Sequence, residues 1–165
     1  MSAPKGVGGQ IGKSTFGSGQ LPVGEATRTL SLPQLPYGDA VHAELTAHGL
    51  MPGATEAGVR GKSELFLRLS WPPGHQALGE DVDEHGLNLV WSHVTGWSAH
   101  DRHGEYLLLD VDVLAAPKVI HEAALEFTQR HLDATWQATD RTARWEHALY
   151  LDIALVNFDE REQTL

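Results

Sequence analysis

Three stretches of the chain alternate apolar and polar residues with period two, and this limits the fold more than any other feature of the sequence. Over 64–71, Leu65, Leu67, Leu69 and Trp71 share one face, while Glu64, Arg68 and Ser70 share the other. Leu87, Leu89, Trp91 and His93 repeat the pattern, as do Leu107, Leu109, Val111 and Val113 against Asp110 and Asp112. Successive side chains of a strand point to opposite faces, so this pattern describes a sheet covered on one side. The expectation is an α+β domain: a small antiparallel sheet of about three strands with helices packed on one face. Trp71 and Trp91 continue leucine-bearing faces and belong to its core.

Helical periodicity supplies the cover. Asp39 suits an N-cap, Val41, Leu45 and the stem of His48 share a face, and Gly49 suits the left-handed residue beyond a C-cap. This predicts a helix over 40–48. Pro117 opens a second helix reaching about 132, because its missing N–H costs nothing in a first turn. Ile120, Ala123, Ala124, Phe127 and His131 form its inner stripe, with Glu126 and Arg130 paired outside. Residues 139–158 fit two readings. Trp145, Leu149, Ile153 and Val156 have helical spacing, whereas Leu149, Leu151, Ile153 and Leu155 have strand spacing. Composition favours the helix and the β-branched and aromatic share favours the strand; helix is preferred.

Residues 1–34 read as a flexible arm and 35–165 as a single domain. The arm is rich in glycine and serine and poor in large apolar groups, too little to offset ordering entropy. Its Gly-Lys-Ser at 12–14 suggests a phosphate loop, but the glycine required five residues earlier is Val7, and no strand precedes it. Residues 1–32 carry Lys5, Lys13 and Arg28 against Glu25, so the chain's formal −10 becomes −12 for the remainder. A body this acidic repels phosphate backbones, which argues against direct nucleic-acid binding. The chain has no cysteine, which excludes disulfides and thiolate metal sites and favours a reducing compartment. No apolar run could act as a secretory signal or span a bilayer, so a cytoplasmic protein without membrane contact is expected. Arginine outnumbers lysine and isoleucine is scarce, the usage of a GC-rich genome.

Some landmarks fall in a particular order: His48-Gly49-Leu50 ends the first helix, Trp91-Ser92-His93-Val94-Thr95-Gly96-Trp97 spans a strand turn, and Leu114-Ala115-Ala116-Pro117 opens the second helix. Over about 35–130 the chain resembles a family of short actinobacterial domains of unknown function. The resemblance implies the α+β fold and a bacterial cytoplasm; it implies no catalytic residue.

Several groups of residues are candidates for chemistry. His93, His100 and His103 crowd one segment beside Asp101, and His100-x-x-His103 could chelate a divalent ion. Zinc sites need three or four converging ligands, however, and a solvated turn is the simpler reading, so no cofactor is expected. Asp81 and Asp83 begin a calcium-loop spacing, but Ser92 stands where a bidentate glutamate is required. Asp110 and Asp112 share a strand face that reads as the wet side. No nucleophile elbow is present. Trp97 and Trp136 lack an apolar stripe of their own, which suits partner anchors. Leu155 lies on the second apolar flank of the C-terminal segment. A helix apolar on two sides needs two covers, so self-association as a homodimer is expected. The leading reading is a non-catalytic protein-interaction or regulatory module, not an enzyme, binding a protein partner and most simply itself. The alternatives are a metal-dependent hydrolase using the histidine-rich segment, and an acidic nucleic-acid mimic that binds a basic protein.

Overall fold

Pro36 sits in the first turn of helix α1 (Leu35–Ala47), so the helix starts five residues before the predicted position 40. A proline there has φ already set for the helix, and the residue before it is held in place from outside. Gln34 Nε2 donates to Gly58 O (3.0 Å) and Phe66 O (3.1 Å), tying the helix entrance to the sheet. Asp39 therefore lies inside the helix and caps nothing. The C-terminus is as predicted: Gly49 has φ +79°, and Leu50 N and Gly49 N donate to Leu45 O and Thr46 O in a Schellman arrangement.

The computed structural model describes residues 32–132 and 135–163; the predicted arm lies almost wholly outside them. After α1 come strands β1 (Ala54–Arg60), β2 (Glu64–Trp71), β3 (Leu87–Ser92), β4 (Gly96–His100) and β5 (Tyr106–Leu108), then helices α2 (Pro117–Gln129) and α3 (Ala148–Gln163). The sheet has five strands rather than about three. All neighbours are antiparallel and in chain order. Among the described residues no helix is long and apolar enough to cross a membrane.

Register defines the two faces. One row runs Ala57–Leu67–Trp91–Trp97, and the next runs Thr55–Leu69–Leu89–Ala99–Leu107. These side chains face the helices and are buried, apart from the half-buried Leu107. Glu56, Arg60, Arg68, Asn88, Ser98, His100 and Tyr106 occupy the opposite face.

Two of the five strands, β1 and β4, carry no period-two signal, for different reasons. β1 offers only Thr55, Ala57 and Val59 to the core, and it is held chiefly by backbone pairing to β2 through a turn at Gly61. β4 was hidden in the histidine-rich segment. Ser92 pairs with Gly96, so the turn is only His93-Val94-Thr95, closed by Gly96 at φ +82°. The third predicted strand ends at Leu108 rather than continuing to Val113. There Val111 N donates to Leu109 O, and the Asp112 carboxylate accepts from Leu114 N, which turns the chain out of the ladder.

Helix α2 buries Val119, Ile120, Ala123, Ala124 and Phe127, and Arg130 pairs with Glu126 as the spacing requires. The ambiguous C-terminal segment is helical from Ala148. Trp145 precedes that helix, with its backbone N–H donating to Leu114 O and its ring 5.2 Å from that of Tyr37.

The buried tryptophans satisfy their polar atoms on this scaffold. Trp91 Nε1–H donates to Val113 O (2.7 Å) and Trp71 Nε1–H to Leu50 O (3.2 Å). Trp97 Nε1–H donates to Tyr37 Oη (3.0 Å), which donates in turn to Ala115 O (2.6 Å). Burial drives the Tyr37 phenol far above its ordinary pKa, so it stays a neutral relay. Tyr37→Phe would leave the Trp97 N–H and a buried carbonyl without their partner. The expected loss is about 1–3 kcal/mol in denaturant unfolding with an unchanged m-value.

Candidate functional site

Strand alternation decides which members of the histidine-rich segment can meet. On β4, Trp97 and Ala99 face the helices, so His100 faces the opposite side and Asp101 returns to the covered side. His100 accordingly bonds Ser98 Oγ (2.8 Å) and stacks on Tyr106, 5.6 Å between rings. Burial, then Arg60 and Arg68, hold its pKa below the usual histidine value. His93 is also elsewhere. Its Nδ1 accepts from Leu65 N (3.1 Å), and its Nε2 meets Asp159 Oδ1 (3.0 Å), fastening α3 to the β2–β3 edge. The predicted set of His93, His100, His103 and Asp101 therefore does not converge, and only Asp101 and His103 remain neighbours.

Two histidines from distant parts of the chain join Asp101 instead. His85, Asp101 and His131 each present a donor atom within 4.8 Å of the others. The 72–86 loop brings His85. Val82 and Leu78 are buried in it, Val82 N and Asp83 N bond Gly79 O, and Gly79 N reaches Thr128 O on α2 (2.7 Å). The approach is close: a Cβ on Gly79 would lie 2.9 Å from Gln129 Oε1. Arg102 N then donates to His85 O, joining the loop to the β4–β5 hairpin. α2 ends at Gln129, with Arg130 already extended, so His131 lies just past the helix beside the buried Leu132 rather than on the inner stripe of a helix reaching 132.

The Asp101 side chain is 2% exposed. Its Oδ1 accepts from His103 N (2.8 Å) and Glu105 N (3.1 Å), and its Oδ2 faces His131 Nε2 at 3.0 Å. Burial alone would raise its pKa, but these hydrogen bonds outweigh it and hold the carboxyl below its usual range. The His85 ring lies 4.6 Å from that of His131 and 5.3 Å from that of His103. His85 Nδ1 is buried and has no hydrogen-bond partner among the described residues.

The residues proposed as partner anchors have other places. Trp97 and Leu155 are buried in the core, and Trp136 is half-buried with its ring 6.0 Å from Phe127. α3 has two apolar faces. Ala148, Leu151, Leu155 and Phe158 point into the core, while Leu149, Tyr150, Ile153 and Val156 are each more than half exposed. Successive residues of a helix are 100° apart, which puts these four on one outward stripe. The acidic residues Asp81, Asp83 and Glu84 are exposed, and Asp110 and Asp112 form ion pairs with Arg141 and Arg144.

Comparison with family models, with curated proteins and with solved structures finds no match, so the functional reading rests on the geometry of this chain.

The division between Asp101 and His100 can be measured. Asp101→Ala removes the acceptor of two backbone N–H groups and of His131, with an expected cost of at least about 1.5–3 kcal/mol in unfolding free energy. His100→Ala, which loses only the Ser98 hydrogen bond and the Tyr106 stack on the opposite face, is expected to cost less, about 1 kcal/mol or under.

Proposed function

We propose that this domain is a non-catalytic interaction module that self-associates as a two-fold dimer through α3. The observation that carries this reading is the outward stripe of Leu149, Tyr150, Ile153 and Val156, behind which a second apolar face of the same helix is already used by the core. Each exposed apolar group gains free energy on leaving water, about 25 cal/mol per Å², and a contiguous set gains most when covered at once. A second copy is the simplest cover because a two-fold interface needs one patch only. The stripe has a suitable shape: with an axis near Ile153, antiparallel helices set the Leu149–Tyr150 end of one against the Val156 end of the other.

Two opposing effects set the strength. Four side chains cover less than the roughly 800 Å² per partner of a standard interface, so association in the micromolar range is expected rather than an obligate dimer. The −12 carried outside residues 1–32 repels a second copy at long range. Salt shortens that repulsion to about 8 Å at physiological ionic strength, so the dimer should tighten as salt is added.

Light scattering at micromolar concentration tests the proposal. A mass near twice 18.0 kDa is expected, rising in population with salt and returning to the monomer value in Ile153→Asp. Ile153 is the proper probe because it is exposed. Leu155→Asp would charge the core and unfold the chain whether or not it dimerises. A monomer at all salt concentrations, or a dimer indifferent to Ile153→Asp, overturns the proposal.

A further inference from the structure

We propose that His85, Asp101 and His131 bind one divalent transition-metal ion, with zinc the ion best matched by the donor set. The inference does not depend on α3.

Two imidazoles and one carboxylate are borderline-soft and hard donors of the kind that hold zinc or a neighbouring first-row metal. They come from three segments with no local spacing between them: the 72–86 loop, the end of β4, and the residue run after α2. Convergence of this kind on the covered side of a sheet is not what a solvated polar turn produces. A tetrahedral zinc ion holds ligand atoms about 3.4 Å apart, given bonds of about 2.0–2.2 Å. The donor atoms lie within 4.8 Å of one another, and the closest defined pair, His131 Nε2 and Asp101 Oδ2, is 3.0 Å apart. Closing the widest gap, at most 4.8 Å, to about 3.4 Å takes only small rotations about the side-chain torsions.

Two features separate this cluster from an ordinary His–Asp pair. The first is the division of labour on Asp101. Two backbone N–H groups occupy Oδ1 and fix the carboxylate, leaving Oδ2 turned toward the histidines. Metal-binding carboxylates are oriented in this way by a surrounding shell of donors. The second is His85 Nδ1, buried and without a hydrogen-bond partner among the described residues. Buried polar atoms are nearly always paired, and a bound cation is a partner that the Nδ1 lone pair could take. The body's acidity adds a long-range attraction for a cation.

The test uses the full chain without a histidine tag, freed of metal by chelator and titrated with Zn2+ by calorimetry and with Co2+ by visible absorption. One ion per chain is expected, with the intense Co2+ band of a low-coordinate site. Both His85→Gln and His131→Gln should weaken binding at least tenfold while circular dichroism shows the fold intact, and His93→Gln and His100→Gln should leave it unchanged. Absence of saturable binding to the parent protein overturns the proposal. So does binding that survives both substitutions, or that is lost in His100→Gln. Should the two cluster variants fail to fold, X-ray absorption of the Co2+-loaded parent decides: a shell containing two imidazoles supports the site, and an all-oxygen shell overturns it.

Discussion

The pairing of Trp91 with Trp97 across the β3–β4 hairpin is the constraint from which the rest of the molecule follows. Both indoles lie on the covered face beneath Tyr37, with ring centroids 5.8 and 6.1 Å from the phenol. Both are buried, and each spends its N–H on a group that also positions a connection: Val113 O beyond β5, and Tyr37 Oη, which reaches Ala115 O before α2. Left unpaired in the core, each of these polar atoms would cost about 1–3 kcal/mol, more than a hydrogen bond contributes net. The tryptophans therefore fix α1, the sheet and the start of α2 relative to one another. A slip of one residue in this hairpin would turn every β4 side chain to the wrong face.

That register also places the carboxylate of the histidine–aspartate cluster. With Asn88 opposite His100, the covered face of β4 runs outward through Trp97 and Ala99 to Asp101 at one end of the sheet, where the turn of the 72–86 loop brings His85. His100 is put on the far side by the same alternation. The cluster is where the hydrophobic face runs out at Asp101, and the residues just past α2 bring His131 to that edge.

Helix α3 is attached at both ends. Arg144, just before it, bonds Asp112 and Asp152, and His93 holds Asp159 near its far end. Ion pairs as exposed as those of Arg144 stabilise little, so attachment depends mainly on Leu151, Leu155 and Phe158 entering the core. The outer stripe is then a consequence of composition: a segment with apolar residues on two sides can give only one of them to a single core.

Sequence alone determined the period-two strands β2 and β3, the buried stripe of α2, the glycine exit from α1 and the absence of cysteine chemistry. These follow from local periodicity and backbone preference, which act between residues close in the chain. The strand β1 and the limits of β4 and β5 were decided by pairing, since Ala54–Arg60 has little alternation of its own and Gly96–His100 is composed like a turn. The choice of faces on α3 was also tertiary. Its two apolar flanks are nearly equivalent in sequence, and the position of His93 and Phe158 against the sheet edge selected Leu155 for the core and left Ile153 outside. The site shows the same division. Asp101 and His103 could be found by composition, whereas His85 and His131, 46 positions apart in the numbering, carried only the faint signal of sharing parity or stripe with the core residues beside them. Donor groups that meet through strand register and helix docking have no spacing rule in the chain, because the distance between them is set by packing rather than by the covalent backbone.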